Sequence, residues 1–194
     1  RVNYANLDLD FSGTVGDEVD ISWQVNSPDL SRVDNSLAGM LASTGQVTGT
    51  VDIPVINAEI SASDINSPWG SSRAIAASIT SGVNTDSKLN ASIMVDGIIV
   101  DDLELESLQA NLQGTRQSHE FSMNSKLQDL ELNISGLGNF TDTDWRGQLQ
   151  SLDAVHARFD SWSLEAMTEI EVSSTHFQTG PLCMQYASGS VCIN

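Results

Sequence analysis

The two cysteines are the residues of this chain whose positions most directly predict chemistry. Cys183 and Cys192 are the only cysteines, and they stand on either side of a turn-prone segment, Ala187-Ser188-Gly189-Ser190. Two strands joined by such a turn would bring the thiols within bonding distance, and a bond across so short a loop stabilises a fold by roughly 2–3 kcal/mol. Two buried free thiols are the alternative. Because disulfides persist in oxidising compartments, we expect a disulfide and an oxidising location.

The histidines and carboxylates do not form the pattern of a metal site or a catalytic centre. His119, His156 and His176 lie in separate segments, and none has a second ligand at metal-binding spacing. Asp142 and Asp144 lack the further oxygen ligands and the glycine of a calcium loop. We therefore expect a protein that is not an enzyme and that uses no metal and no cofactor.

The charge balance excludes several classes of partner. The chain has 194 residues with 26 acidic and 8 basic side chains, a formal net charge of −18. Such a chain is repelled by nucleic acid and by anionic membrane surfaces. It contains no run of about 18 apolar residues, so we expect no membrane-spanning helix. The first residues, RVNYANLDLDF, already read as folded chain, so we expect a piece of a larger protein.

Most of the chain alternates apolar and polar residues, which predicts β-strands with one apolar and one solvated face. Residues 19–25, for example, place Val, Ile, Trp and Val between Asp, Ser and Gln. Turn-forming residues recur at about the spacing of a strand. This favours an all-β antiparallel meander in one domain, residues 1–194. The positions assigned to the apolar face are Leu7, Leu9, Phe11, Val19, Ile21, Trp23, Val25, Val51, Ile53, Ile75, Ala77, Ile79, Leu89, Ala91, Ile93, Val95, Leu103, Leu105, Leu108, Ala110, Leu112, Phe121, Met123, Leu130, Leu132, Ile134 and Leu149.

One segment departs from the alternation and predicts a helix. Ser27 has the character of an N-cap, Pro28 suits the first helical position, and Gly39 suits a helix stop. We expect one short helix over residues 28–38, packed against the sheet or closing one end of it.

The alternation does not reveal what lies opposite the apolar face. Either a second sheet covers it, or some other apolar partner does. A period of two residues is the same in both cases.

Short motifs at several places in the chain share their order and spacing with one known family. The motifs are Asp144-Trp145-Arg146-Gly147-Gln148-Leu149, Trp162-Ser163-Leu164, Gly180-Pro181-Leu182-Cys183 with Cys192, then Gly114, Thr115 and His119, and upstream Asp29-Leu30, Gly39 to Gly45, Gly49-Thr50, Pro54 and Ala58. Together they resemble the middle of the TamB family, large inner-membrane-anchored proteins of the periplasm. A W-x-G-x-L strand, a W-x-L strand and a cysteine pair across a hairpin, in that order, make the resemblance specific.

The resemblance implies a fold, a location and partners. The fold is an elongated, curled antiparallel sheet, the β-groove or β-taco of AsmA-like lipid-transfer proteins, with an apolar interior. The implied ligands are phospholipid acyl chains that pass between the inner and outer membranes, and the apolar positions given above would line the groove. The family meets the outer-membrane protein TamA through other regions. We therefore expect the membrane anchor and the TamA-binding region to lie outside this chain.

Three hypotheses follow for the function. The first is a segment of a lipid-conducting groove. The second is a chaperone-like module that binds unfolded outer-membrane protein strands by β-augmentation during their assembly. The third is a closed sandwich without a groove. The first depends on the apolar face, the second on the edges of the sheet, and the third on a second sheet.

Overall fold

The structure is a computed structural model of the 194-residue chain. It describes residues 2–4, 7–84, 86–101, 103–141, 144–159, 161–187 and 189–193, and of residues 2–4 the backbone alone. Asp142 and Ser188, both named above, lie outside these ranges.

Within these ranges the chain folds into sixteen β-strands. Their bounds are β1 (Val2–Tyr4), β2 (Leu7–Val15), β3 (Glu18–Ser27), β4 (Ala38–Thr50), β5 (Ile53–Ser67), β6 (Gly70–Gly82), β7 (Lys88–Val100), β8 (Leu103–Thr115), β9 (His119–Leu127), β10 (Leu130–Phe140), β11 (Trp145–His156), β12 (Trp162–Leu164), β13 (Thr168–Val172), β14 (Phe177–Thr179), β15 (Leu182–Tyr186) and β16 (Gly189–Ile193). The prediction of an all-β fold is confirmed.

The strands form one open, curled antiparallel sheet in which spatial order follows chain order from β1 to β12. Each strand from β2 to β11 pairs with the strand before it and the strand after it, as expected for a meander. The extended, alternating segments and the short turns between them are sufficient to produce this order. The predicted curled sheet is therefore the observed architecture.

The sheet divides at β11. Residues 145–149 of β11 pair with β13, which carries β14, whereas Asp153 and Ala154 pair with β12, which leads to β15 and β16. Gln150 lies between the two contacts, at a register shift against β10. The far end of the sheet is therefore two narrow branches rather than one continuous layer.

No second layer covers the described strands. All of these strands belong to the one sheet, and many large apolar side chains, such as Phe11, Ile60 and Ile93, remain exposed. This arrangement excludes the closed sandwich for the described part of the chain.

The helix expected over residues 28–38 is wrong. Only Leu30–Arg32 is helical, as a single 3₁₀ turn, and Ala38 already begins β4. The cap is Asp29 rather than Ser27: its carboxylate accepts from the Ser31 hydroxyl at 2.6 Å and from the Ser31 amide at 3.1 Å, and these hydrogen bonds lower the pKa of Asp29. Ser27 is the last residue of β3. Asp34 in turn accepts from the amide and hydroxyl of Ser36, and these local side-chain hydrogen bonds favour turns over a continued helix.

Candidate functional site: the apolar face of the sheet

The register places nearly all large apolar side chains of the strands on one side, here named the apolar face. Residues that are directly opposite in paired strands point to the same side of a sheet, so each pairing extends the assignment to the next strand. The apolar face comprises Leu7, Leu9, Phe11, Val15, Val19, Ile21, Trp23, Val25, Leu41, Val47, Pro54, Ile56, Ala58, Ile60, Ala62, Ile75, Ala77, Ile79, Leu89, Ala91, Ile93, Val95, Leu108, Ala110, Leu112, Phe121, Met123, Leu127, Leu130, Leu132, Ile134, Phe140, Trp145, Leu149, Leu152, Ala154, Trp162, Leu164, Ile170, Val172, Phe177, Leu182, Met184, Tyr186, Val191 and Ile193, with serines, glycines, threonines and two histidines between them.

The opposite side, here named the polar face, carries the charges of the strands. Among the described residues that are paired on the apolar face, none is Asp, Glu, Lys or Arg. Asp64, Arg73 and Glu106 stand where the ladder pairing is interrupted, and Arg73 and Glu106 form ion pairs with Asp96 and Lys126 of the polar face. Asp10, Asp20, Glu59 and Lys88 are typical of the polar face, which also has many Ser, Thr, Asn and Gln. The charges of the paired strand residues therefore lie away from the apolar face, and the acidic polar face favours solubility.

The apolar face remains partly open to solvent. Leu89, Val95 and Leu149 are buried by their neighbours, but Ile60, Ile79 and Ile93 keep more than a third of their surface exposed. Such residues are normally covered by a second layer, which the described strands lack. The face can therefore take up an apolar partner.

Of the positions predicted for the groove, the structure places all but four on the apolar face. Leu103 and Leu105 have conflicting partners: β9 pairs Leu105 with Leu127 of the apolar face after a register shift, whereas β7 pairs Leu105 with Ile98 and Leu103 with Val100, which lie an even number of residues after Met94 of the polar face. Ile53 is opposite Thr50 on the polar face, and Val51 lies in the turn between β4 and β5. Both departures have one cause: the alternation shifts where the turn begins, and sequence alone does not fix that point.

Aromatic rings cover several glycines on the apolar face, and the sequence did not reveal this. A methyl group at Gly45 would lie 2.0 Å from Cζ2 of Trp23, which is directly opposite in β3. Likewise, a Cβ on Gly136 would lie 2.5 Å from Cζ of Phe121, and a Cβ on Gly138 would lie 2.5 Å from Cζ2 of Trp145. The rings lie over the glycines, and these positions are filled by neighbouring strands. The signal in the sequence is a glycine among apolar positions, but the sequence does not show which ring of the next strand covers it.

Two motifs that carry the family resemblance meet at one buried residue. His119 is 1% exposed, and its Nε2 accepts a hydrogen bond from the Trp145 indole N–H at 2.8 Å. Its Nδ1 lies 3.1 Å from the Thr115 carbonyl oxygen, so the neutral ring carries its proton there and donates it. Phe121 packs edge-on against Trp145 with ring centroids 5.6 Å apart. The role of His119 is therefore structural: it locks β9 to β11.

The predicted disulfide is present. Cys183 and Cys192 are directly opposite in β15 and β16, and their sulfurs are bonded at 2.02 Å. Both side chains lie on the polar face. Among the described residues, the one group of potential metal ligands close enough to share an ion is Glu165 with these two cysteines, and the bonded sulfurs offer no thiolate.

Several shallow depressions lie on the sheet, and they differ in chemistry. One, about 630 Å³, lies on the polar face between Arg146, Glu169 and Gln178 and is lined mainly by polar side chains. Another, about 460 Å³, lies on the apolar face beside Leu130, Ala154 and Trp162. The polar depressions fit solvent, whereas the apolar one fits a hydrocarbon group.

An open antiparallel sheet with one apolar face and one acidic face defines a β-groove protein. No helix among the described residues is long and apolar enough to span a membrane. The chain belongs to the TamB family: the family described as TamB, N-terminal domain, matches residues 1–194. The motifs had indicated the middle of the family, and the matching region is the N-terminal domain instead. No curated protein and no solved structure matches the chain significantly.

Membership gives the chain a TamB-type role in the cell envelope, in a TamA-related context.

Proposed function

We propose that the apolar face carries phospholipid acyl chains between the inner and outer membranes, as one segment of a periplasmic, inner-membrane-anchored bridge. On this proposal the chain is a conduit and not an enzyme. The longer protein would meet TamA through regions outside this chain. The observation that carries the proposal is the unbroken apolar strip across the sheet.

The strip is clearest in one row of directly opposite residues. The row is Leu9, Val25, Ser43, Ile60, Ala77, Ile93, Ala110, Met123, Ile134 and Leu152, one residue from each strand from β2 to β11. Nine strand spacings of about 4.8 Å span about 43 Å. A single acyl chain reaches about half of a 30 Å hydrocarbon core, roughly 15 Å. The row therefore offers an apolar path longer than any one acyl chain.

The composition of the path suits passage better than tight binding. Its side chains are aliphatic, and Ser43 supplies its one hydroxyl. A selective pocket needs several fixed polar groups that orient the ligand. Aliphatic walls instead stabilise an acyl chain by about 25 cal/mol for each Å² removed from water, at every position along the path. A chain can therefore move along the row without leaving a deep minimum.

Adjacent residues of β7 provide a matched test. Ile93 lies in the apolar row and Met94 on the polar face; they are 37% and 53% exposed, so neither is a core residue. We expect Ile93→Asp to abolish complementation of a lipid-transport-deficient strain by the longer protein, because a passing acyl chain must desolvate the carboxylate at a cost of several kcal/mol. Met94→Asp should complement normally. Full complementation by folded Ile93→Asp protein would show that the face does not conduct lipid.

A second candidate function, binding of outer-membrane protein strands by β-augmentation, is favoured by the free outer edge of β16. Cys183 and Cys192 have Cα atoms 4.0 Å apart, the spacing of a non-hydrogen-bonded pair, so the amides of Cys192 and Ser190 point to that edge. Ser190→Pro removes an edge donor without removing a ladder hydrogen bond. The conduit proposal expects this variant to complement, whereas β-augmentation at this edge expects it to fail.

A further inference from the structure

The apolar depression on the apolar face is bounded by a small set of side chains at one end of the strands. It measures about 460 Å³ and is lined by Leu130, Ala154, His156, Phe159, Trp162 and Tyr186. These residues come from β10, β11, β12, β15 and the loop after β11. The depression therefore lies on the branch that begins where the sheet divides.

Aromatic rings give the depression firm walls. Trp162 and Tyr186 are stacked with centroids 4.4 Å apart, and His156 and Phe159 are 4.7 Å apart. The amide of Arg158 donates to Nδ1 of His156 at 3.1 Å, which fixes the imidazole against the loop. The aliphatic row of β2–β11 has a depression of similar size, about 420 Å³ beside Ser43, Ile60 and Ala77, but no aromatic residue lines it. An acyl chain in the depression of β10–β12 would therefore meet ring surfaces that the row does not offer.

The chain places a pair of opposite charges directly before two of the lining residues, and this pair is here named the rim. Arg158 precedes Phe159, Asp129 precedes Leu130, and a guanidinium nitrogen of Arg158 lies 3.7 Å from the Asp129 carboxylate. Both side chains are largely exposed, at 78% and 51%. An exposed pair at this separation contributes little to stability, so a charged group of a ligand can replace the partner that has the same sign of charge.

Resting on the proposed function, we propose that this depression holds one phospholipid with a zwitterionic headgroup. One acyl chain occupies the aromatic depression, the headgroup phosphate binds Arg158, and the headgroup amine binds Asp129. The rim offers one positive and one negative charge, which matches a headgroup of zero net charge. The charge of −18 on the rest of the chain disfavours a lipid with a net negative headgroup.

The test uses three photoreactive probes with the same dodecyl diazirine chain and different heads: lyso-phosphoethanolamine, lyso-phosphoglycerol and maltoside. The full chain is labelled below micelle concentration, and peptides that contain Phe159 and Trp162 are quantified by mass spectrometry. Peptides of β7 report the aliphatic row in the same sample. We expect the phosphoethanolamine probe to label the depression about two- to fivefold more than the maltoside probe.

Two rim variants separate the two headgroup contacts. Arg158→Gln should reduce labelling by both phosphate probes to the level of the maltoside probe. Asp129→Asn should remove the preference for phosphoethanolamine over phosphoglycerol. Arg32→Gln is the matched control, because Arg32 and Asp29 form an exposed pair of the same kind in the 3₁₀ turn. This control should change nothing.

The two proposals fail in different ways. If all three probes label the depression equally, or if Arg158→Gln has no effect, headgroup recognition is wrong while labelling of β7 still supports a lipid path. If β7 is not labelled by any probe, the lipid path itself is wrong. Phe159→Ala, at a residue 71% exposed, should lower labelling by every probe, and no change would exclude the depression as the alkyl site.

Discussion

At the scale of single residues, glycines matter on the apolar face because aromatic rings occupy the space where their side chains would be. Trp23 covers Gly45 and also donates from its indole N–H to the Ser43 hydroxyl at 3.3 Å. The ring is thus held in place on β4 by both a contact and a hydrogen bond. Even the smallest side chain at Gly45 would move it.

We expect Gly45→Ala to lower the free energy of unfolding by about 1–3 kcal/mol, as for other overpacked sites, measured by urea denaturation. In a Trp23→Leu background the same substitution should cost much less, because the ring is gone. Gly16→Ala is the control, since a Cβ at Gly16 meets no atom within 4 Å. Equal losses in the two backgrounds would contradict the ring-cover interpretation.

Which residues share a face could be predicted from the sequence, and which residues touch across strands could not. Ile21, Ile93 and Leu132 lie on the apolar face, as predicted, because successive side chains of a strand point to opposite faces. The His119–Trp145 hydrogen bond joins strands β9 and β11, which are not adjacent, with β10 between them. It depends on the register of two successive pairings, and register is a property of the assembled sheet.

At the scale of elements, the terminal hairpin β15–β16 is the part most dependent on covalent support. Its one neighbour in the sheet is the three-residue strand β12, and its loop carries the chain back within a few residues. The five pairs between β15 and β16 include the two cysteines. A short hairpin with so little neighbouring sheet is marginal without a cross-link.

Reduction of the Cys183–Cys192 disulfide should therefore act locally. We expect a loss of roughly 2–3 kcal/mol in the opening free energy of β15 and β16, seen as faster amide hydrogen exchange there. Exchange in β4–β9 should stay unchanged, since those strands are paired along both sides. Intact mass after alkylation verifies the redox state of each sample. Acceleration across the whole sheet would mean that the hairpin is coupled to the rest.

The segment before β4 is one whose secondary structure could not be predicted from the sequence. Pro28 and Gly39 are sound helix signals, but each also suits a loop that ends in a strand. The Asp29 carboxylate accepts hydrogen bonds from the amide and hydroxyl of Ser31, which closes a single 3₁₀ turn. Asp34 accepts from Ser36 and forms a second turn, and from Leu41 onward β4 pairs with both β3 and β5.

At the scale of the whole molecule, no second layer covers the described strands, so the apolar face is in contact with either solvent or a ligand. Every 100 Å² of that face removed from water recovers about 2.5 kcal/mol.

The division at β11 was not predictable from the sequence, because β12 and β13 both follow β11 in the chain and either could pair with its whole length.

We expect the protein to retain phospholipid after mild extraction, because lipid relieves the exposed apolar area. Native mass spectrometry should show added masses of one or more phospholipids, and fewer of them should remain after Ile93→Asp than after Met94→Asp. A single unliganded mass for the gently extracted wild-type protein would contradict this expectation.

The matching of spatial order to chain order in β2–β11 makes the length of this sheet adjustable during evolution. Removing one strand would reverse the direction of everything that follows, but removing a neighbouring pair such as β6 and β7 would leave β5 beside β8, still antiparallel. Gene duplication or deletion of one hairpin would then change the distance that the sheet spans by about 10 Å, two strand spacings. The sheet could thus become longer or shorter in steps of one hairpin, without a change in any strand pairing that remains.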